Sequence, residues 1–120
     1  MAEGCVFCKI IKGEIPGKKI YEDEHVFVIE DIKPAAPIHF LFLTKKHYSS
    51  LVDMKLDEGN KAGEEHLQYL FAALARVAKQ KGIESFKTTI NTGAQAGQTV
   101  FHLHVHMLAG GKLKSHLSPI

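Results

Sequence analysis

The sequence predicts one α+β domain, with an antiparallel five-stranded sheet, one long helix and a short N-terminal helix. Strand-like segments follow one another across short turns, and one long segment repeats its apolar residues every three or four positions. The chain has 120 residues, 45% of them hydrophobic and 23% charged, which is enough for one core without disulfide bonds. We therefore expect residues 1–120 to form a single domain.

The first half of the chain contains the short helix and three strands. Val6–Lys12 suits a helix that is closed by Gly13. The prolines within residues 33–37 must interrupt strand pairing, because proline donates no hydrogen bond to a ladder. The strands predicted around them are Ile20–Glu22, His25–Asp31 and Ile38–Leu43.

The second half contains the long helix and two further strands. The helix is predicted from about Asp57 to Lys81, with Gly82 as its end. One apolar stripe should pack on the sheet, formed by Leu67, Leu70, Phe71, Leu74, Val77 and Ala78. The last strands are Lys87–Asn91 and Val100–Leu108, joined by a glycine-bearing loop over residues 92–99.

Composition and charge exclude several classes of partner. The formal net charge is +2 and the lysines are scattered, so the chain lacks the basic patch that binds nucleic acid. No segment approaches the roughly 18 apolar residues that span a membrane, and no signal peptide is recognisable. We expect a cytoplasmic protein with neither a nucleic-acid nor a membrane partner.

Two cysteines, Cys5 and Cys8, form a Cys-x-x-Cys pair near the N-terminus. Two thiolates at this spacing are half of a tetrahedral zinc site, which two imidazoles could complete. A pair of free thiols is the alternative. A dithiol redox site is disfavoured, because no thioredoxin-like βαβ unit follows.

The last predicted strand alternates between histidine and apolar residues. Strand geometry puts His102, His104 and His106 on one face. The other face, which can pack against the helix, has Phe101, Leu103, Val105 and Met107. At about 3.3 Å per residue the outer histidines are roughly 13 Å apart, too far for one metal ion to bind all three. Solvation would explain one such histidine, but three beside a glycine-bearing loop favour a reactive site.

Gly97–His106 resembles the signature of the histidine triad family, in which three histidines alternate with apolar residues. Other segments resemble its histidine triad nucleotide-binding (HINT) branch, namely Phe7–Ile11 with Glu14–Pro16, Asp31–Phe40, and Lys45–His47. The resemblance runs from Cys5 to about Gly111 and is to the bacterial zinc-containing type. It implies a homodimer in which the two sheets are joined.

The resemblance implies a reaction at the phosphorus of a purine nucleotide. His104 is the implied nucleophile and would form a nucleotidyl-histidine, a role that suits neutral imidazole with its ordinary pKa near 6.5. His106 would contact the phosphate and the leaving group, and His39 would complete the polar network. Thr99 stands where relatives often carry serine near the leaving group, and it keeps the hydroxyl.

The resemblance also implies a nucleotide site. Its residues would be Phe7, Ile10, Ile29, Asp31, Ile32, Asn91, Gly97, Gln98, Thr99, His104 and His106. The Asp31 carboxylate would accept both ribose hydroxyls, and the apolar residues would enclose the base. The segment from Asn91 to Thr99 would cradle the phosphate with backbone N–H groups. Without the resemblance, the apolar members would be read as core, and Asn91 as a turn residue.

A structural zinc ion is the implied cofactor, and its ligands would be Cys5, Cys8, His47 and His102. With His102 assigned to the metal ion, His104 and His106 remain for the reaction at phosphorus. A single metal ion then does not have to reach all three histidines. The remaining histidines have no predicted partners and are expected at the surface; they are His25, His66 and His116.

The implied activity is hydrolysis of adenosine or guanosine 5′-phosphoramidates to the nucleoside monophosphate and an amine. One alternative is a dinucleoside polyphosphate hydrolase of the Fhit-like branch, which would act on P–O–P bonds. Another is a zinc-stabilised nucleotide-binding module without catalysis, which the intact triad disfavours.

Overall fold

The computed structural model describes residues 4–111, which form one antiparallel sheet and its covering helices. The helices are α1 (Val6–Ile11) and α2 (Lys61–Lys81), and the strands are β1 (Lys19–Glu22), β2 (Val26–Glu30), β3 (Ile38–Thr44), β4 (Phe86–Thr89) and β5 (His104–Ala109). The strand order is β1-β2-β3-β5-β4, and every neighbouring pair is antiparallel. The predicted fold class is confirmed.

The two faces of the sheet bury different clusters. Along β2, Val26 and Val28 belong to the cluster beneath α2, whereas Phe27 and Ile29 belong to the cluster beneath α1. This alternation follows from the two-residue period of a strand. The long helix therefore covers one face of the sheet and the short helix covers the other.

α2 begins four residues later than predicted. The predicted start, Asp57, lies in the short 3-10 turn Leu56–Glu58. Lys55 and Gly59, on either side of this turn, have the left-handed φ values of 57° and 79°. Such residues cannot continue a right-handed helix, so regular hydrogen bonding starts only at Lys61.

The apolar stripe of α2 packs on the sheet with one exception. Its buried residues are Gly63, Leu70, Ala73, Leu74, Val77 and Ala78. Phe71 is 48% exposed, so its predicted place on the buried stripe was wrong. Leu67 lies half-buried at the edge of the cluster. Gly82 ends the helix at a φ of 68°, as predicted.

β5 begins at His104 and not at the predicted Val100. The Leu103 N–H donates to the Tyr48 carbonyl at 2.6 Å, which draws the preceding segment away from the β3 ladder. Phe101 is consequently 48% exposed, and its predicted packing against the helix was wrong. The other apolar positions of the segment are buried in the α2 cluster as expected; they are Leu103, Val105 and Met107.

The remaining boundaries differ from prediction by one or two residues. β4 ends at Thr89, so Asn91 lies beyond the strand, and β3 extends to Thr44. Lys12 is the C-cap of α1 and not its last residue. Within residues 4–111, no helix has both the length and the apolar character that a membrane crossing needs. The cytoplasmic location stays a prediction.

Two histidines expected to lack partners have them. The His25 ring stacks on Tyr69 of α2, with the ring centroids 4.0 Å apart. His66 places Nδ1 3.0 Å from the Tyr48 hydroxyl. Both side chains are therefore half-buried and not fully at the surface as expected, because the packing of α2 brings the aromatic partners close. His116 lies outside the described residues.

Candidate active site and metal centre

Polar side chains converge on the face of the sheet that carries α1. Leu41, which faces α1, lies opposite His106 in the β3–β5 register. Because side chains alternate along a strand, His104 and His39 share this face. Asp31 follows β2, and its N–H donates to the His39 carbonyl at 2.9 Å. The fold thus gathers three histidines and one carboxylate.

A cleft of about 300 Å³ opens beside these side chains. Eight of the predicted nucleotide-site residues line it, namely Phe7, Ile10, Ile29, Asp31, Ile32, Thr99, His104 and His106. Three others, Asn91, Gly97 and Gln98, are not part of its lining. The cleft therefore combines an apolar end that can enclose a base with a polar end that can bind a ribose and a phosphate.

The hydrogen bond of His104 determines which of its nitrogens is free. Nδ1 lies 2.7 Å from the carbonyl oxygen of His102, an atom that can only accept. Nδ1 therefore carries the proton, and Nε2 of the neutral ring keeps its lone pair. Phe7 contacts the same ring edge-on, with the centroids 5.1 Å apart, and holds it in place. His104 can thus attack an electrophile through Nε2.

His39 determines the protonation of His106 in the same way. Nδ1 of His39 accepts the Ala35 N–H at 3.0 Å, so its proton is on Nε2. That Nε2 donates to Nδ1 of His106 at 2.9 Å, and Oδ2 of Asp31 lies 3.5 Å from it. His106 must then carry its proton on Nε2, a buried atom without a hydrogen-bond partner among residues 4–111. Since an unpaired buried N–H costs free energy, this donor is available to a ligand.

Burial keeps the cleft imidazoles neutral. Burial, together with His104 and His39 nearby, lowers the pKa of His106 to about 4. Burial also lowers the pKa of His104, and the hydrogen bond to His102 and the Asp31 carboxylate oppose this only in part. At pH 7 the lone pair on Nε2 of His104 is therefore not lost to protonation.

Acid should destabilise the protein through His106. Because the pKa of His106 falls from about 6.5 to about 4 on folding, its contribution to stability is complete above pH 6.5. That contribution is lost as the pH falls towards 4. After allowance for partial exposure, the loss between pH 7 and pH 5 is on the order of 1 kcal/mol. Urea denaturation at both pH values should show a larger loss for wild type than for His106→Gln; equal losses would contradict this origin.

Gln98 holds the glycine-bearing loop before β5. Its Oε1 accepts the Gly93 N–H at 2.9 Å, and its Nε2 donates to the Ser49 carbonyl at 2.7 Å. Gly97 has a φ of 95°, which side-chain-bearing residues rarely adopt. The N–H groups of Gly97 and Gln98 donate to carbonyl oxygens within the loop. Gln98 is therefore buried, while the loop presents the exposed Thr99 at the margin of the cleft.

The structure brings together all four predicted metal ligands. Nδ1 of His102 lies 3.4 Å from Sγ of Cys5 and 3.5 Å from Sγ of Cys8. Nδ1 of His47 lies 3.4 Å from Sγ of Cys8 and 3.2 Å from Nδ1 of His102. Zinc bonds of about 2.0 Å to nitrogen and 2.3 Å to sulfur give tetrahedral edges of about 3.3 Å between two nitrogens, about 3.5 Å between nitrogen and sulfur, and about 3.8 Å between two sulfurs. The N–N separation and the three N–S separations above agree with these values, and all four donor atoms lie within 4.8 Å of one another.

Protonation in this cluster also suits a metal ion. Nε2 of His102 donates to the Thr44 carbonyl at 2.7 Å, which leaves the lone pair on Nδ1 directed at the other donors. Burial lowers the pKa of His102 to about 4 and also lowers that of His47, so both rings are neutral ligands. Sγ of Cys5 accepts the Cys8 N–H at the start of α1, so this sulfur is fixed beside the other donors. Two thiolates and two imidazoles are a donor set that zinc prefers.

A second group of close donors comprises Asp31, His39 and His106. These side chains already contact one another, because Nε2 of His39 lies 2.9 Å from Nδ1 of His106 and 3.5 Å from Oδ2 of Asp31. The geometry therefore assigns this group to orienting His106 rather than to holding a metal ion.

Four cleft-lining residues were not predicted from the sequence, namely Val6, Glu30, Leu41 and Val100. The strand register could have revealed Leu41, since it pairs with His106. Val100 could have been found from the alternation of the last predicted strand, which puts it on the same face as His102, His104 and His106.

Comparisons with known proteins agree with this geometry. Residues 4–116 match the family model described as "Scavenger mRNA decapping enzyme C-term binding". The chain is 41% identical over 110 residues to Protein HitA of Neisseria gonorrhoeae, covering 88% of this chain and 95% of that protein.

Two solved structures of histidine triad proteins are also similar to this chain. A histidine triad protein from Clostridium difficile is 40% identical, with a TM-score of 0.87 over 95% of this chain and 96% of that chain. A HIT family hydrolase from Clostridium thermocellum is 42% identical, with a TM-score of 0.84 over the same shares. The triad, the sheet order and these matches agree, and the chain belongs to the histidine triad (HIT) family.

Proposed function

We propose that this protein is a purine nucleotide hydrolase that cleaves the P–N bond of nucleoside 5′-phosphoramidates. The observation that carries the proposal is the tautomer of His104, whose Nδ1–H is bound to the His102 carbonyl and whose Nε2 is free in a cleft-lining ring. The family membership and a similar structure described as a HIT family hydrolase support hydrolysis as the reaction class.

The cleft suits a nucleotide with its base at the apolar end. Phe7, Ile10 and Ile29 enclose the base, with Ile32 at the rim. Asp31 accepts the ribose hydroxyls; its Oδ1 already accepts the Lys33 N–H at 2.8 Å, and a carboxylate keeps further lone pairs. The phosphate then lies at the histidine end of the cleft. We assign Asn91, Gly97 and Gln98 to shaping the loop that presents Thr99.

The first chemical step is attack by His104. Nε2 forms a bond to the α-phosphorus, and the P–N bond breaks as the amine leaves with one proton taken from water at the Thr99 hydroxyl. His106 donates its Nε2–H to a phosphoryl oxygen and stabilises the charge that develops there. His39 and Asp31 keep that proton on Nε2 of His106.

The second step is hydrolysis of the nucleotidyl-His104, which regenerates the free enzyme. Water attacks the phosphorus of the nucleotidyl-His104, the P–N bond to the imidazole breaks, and the nucleoside monophosphate leaves. The proton that the water gives up balances the one taken by the amine, so the net reaction consumes one water molecule. The hydrogen bond from Nδ1 to the His102 carbonyl stabilises the positive imidazole ring of the intermediate.

The proposal is tested by comparing two substrate types under the same conditions. We expect adenosine 5′-phosphoramidate to give a kcat/KM at least about a hundredfold above that of diadenosine triphosphate, with AMP as product. A preference for the P–O–P substrate would establish the Fhit-like alternative. Tight AMP binding without turnover of either substrate would establish the non-catalytic binding module.

We further propose that Cys5, Cys8, His47 and His102 hold a structural zinc ion. The spacing of their donor atoms and the proton on Nε2 of His102 support this assignment. The ion would tie α1 to the segment after β3 and to the segment before β5. It would stabilise the position of Phe7 against His104 without touching the substrate.

We propose a homodimer in which the sheets join at β4. β4 is an edge strand with the partly exposed Phe86, whereas the other edge strand, β1, carries ion-paired Lys19 and Glu22, which discourage pairing. Sedimentation of the wild type should therefore give a dimer, and Phe86→Lys should shift it towards the monomer by at least about tenfold in Kd. A dimer unaffected by this change would place the interface elsewhere.

A further inference from the structure

The loop between β2 and β3, residues 31–37, reaches the site with two peptide N–H groups. The Lys33 N–H donates to Oδ1 of Asp31 at 2.8 Å, and the Ala35 N–H donates to Nδ1 of His39 at 3.0 Å. Lys33 and Ala35 are themselves exposed, and neither is part of the cleft lining. The loop therefore contacts the site through its backbone and not through these two side chains.

Proline and glycine residues hold this loop in one path. Pro34 lies between the two donors, has no N–H of its own, and restricts Lys33 before it to extended conformations. Gly110, which follows β5, packs so closely on Pro37 that a Cβ added to it would lie 2.9 Å from the Cβ of Pro37. This contact fixes the end of the loop against the strand that carries two of the triad histidines.

We propose that Ala35 is a positioning residue for the reaction, and that its peptide N–H determines which nitrogen of His106 carries a proton. This inference rests on the proposed function. A neutral imidazole has one proton, so a donor at Nδ1 of His39 leaves that proton on Nε2. Nε2 of His39 then donates to Nδ1 of His106 at 2.9 Å. The proton of His106 is left on its buried Nε2, which has no hydrogen-bond partner in the described part of the chain and can donate to the phosphate.

The opposite arrangement of protons would remove this donor. Without the Ala35 N–H, Nδ1 of His39 no longer has to accept, and the proton of that ring can move there. His106 would then donate from Nδ1 to Nε2 of His39, and its own Nε2 would present a lone pair to the phosphoryl oxygen. Oδ2 of Asp31, 3.5 Å from Nε2 of His39, is too distant to fix the proton by itself. Both arrangements keep the 2.9 Å contact between the rings, so the change acts on charge stabilisation and not on the fold.

The experiment replaces one peptide bond with an ester, by incorporating lactic acid in place of alanine during in vitro translation. This removes the N–H and keeps the methyl side chain. We expect the ester at Ala35 to lower kcat/KM for adenosine 5′-phosphoramidate about tenfold and to change the Kd for adenosine by less than about twofold. The ester at Ala36 is the matched control, because within residues 4–111 the Ala36 N–H has no hydrogen-bond acceptor. This control should change neither quantity by more than about twofold.

Two further measurements show whether Ala35 acts through His39. The ¹⁵N NMR signals of the histidine rings report which nitrogen carries the proton, and the ester at Ala35 should move the proton of His39 from Nε2 to Nδ1. In a His39→Gln background, the amide NH₂ donates whatever faces the rest of the side chain. The ester at Ala35 should therefore lower kcat/KM less than about twofold in that background.

The outcomes separate the role of Ala35 from the proposed function. An ester at Ala35 that leaves kcat/KM unchanged, with or without a change in the proton of His39, would overturn the positioning role and leave the proposed function intact. An equal loss with the ester at Ala36, or an undiminished loss in the His39→Gln background, would do the same. Wild-type protein that does not cleave the phosphoramidate would overturn the proposed function and this role of Ala35 with it.

Discussion

Replacement of His104 with alanine is expected to lower kcat/KM for adenosine 5′-phosphoramidate by at least about a thousandfold. This corresponds to roughly 4 kcal/mol of transition-state stabilisation. The other two histidines of the triad cannot take over, because Nδ1 of His106 accepts from His39 and Nδ1 of His102 faces the sulfur atoms of Cys5 and Cys8. A fluorogenic adenosine phosphoramidate measures the rate directly.

Two controls distinguish loss of the nucleophile from loss of the fold. His104→Ala should keep its AMP affinity within about tenfold, and His104→Gly should regain part of its activity when imidazole is added. His25→Ala replaces a histidine that stacks on α2 and lies outside the cleft, so its activity should stay within about twofold of wild type. A folded His104→Ala variant that retains a tenth of the wild-type rate would falsify the assignment of the nucleophile.

Replacement of Cys8 with serine is expected to abolish binding of the proposed zinc ion and to lower the free energy of unfolding by about 4 kcal/mol. Cys8 is buried and lies within 3.5 Å of both histidine ligands, so its loss leaves three donors in a cluster spaced for four. An ion that binds only the folded state stabilises that state. The stabilisation grows with the logarithm of the ratio between the free ion concentration and its Kd. For a domain of this length, a loss of that free energy should lower the Tm by more than about 10 °C.

The number of bound zinc ions and the Tm must be measured on the same samples. Native mass spectrometry should find one zinc ion per wild-type chain and none in Cys8→Ser. A chelator should bring the wild-type Tm close to that of the variant and leave the variant unchanged. If the wild type binds no zinc, or if chelation does not change its Tm, the four residues are a hydrogen-bonded cluster and not a metal site.

The fold was predictable because its signals are local. The alternation of apolar residues indicated the strands, and the three- and four-residue repeat indicated α2, since each period reports the geometry of its own segment. The error in β5 occurred where a distant contact overrode the local pattern. Leu103 bonds to the Tyr48 carbonyl instead of the strand ladder, so β5 starts late and Phe101 is left in solvent.

The membership of the site was predictable to a similar extent. Asp31, His104 and His106 line one cleft, and Cys5, Cys8, His47 and His102 form a separate group that could hold a metal ion. The roles that the resemblance implies for them stay predictions. Asn91, which follows β4, does not line the cleft. Gly97 and Gln98 do not line it either, because Gln98 turns inward to hold the loop. A motif specifies residue types in order and does not specify the loop path between them.

The sequence by itself determined the class of fold, the three alternating histidines and the donor chemistry of the cysteine pair. Only the tertiary structure decided the different chemistry of the three imidazoles. Cys5 and His102, 97 positions apart, lie 3.4 Å from each other in the group of potential metal donors, whereas the carbonyl of His102 orients His104. His39, 67 positions before His106, sets the proton on that ring. The physical reason is that the tautomer of a histidine depends on the acceptor or donor beside each nitrogen, and folding brings those partners from distant parts of the chain.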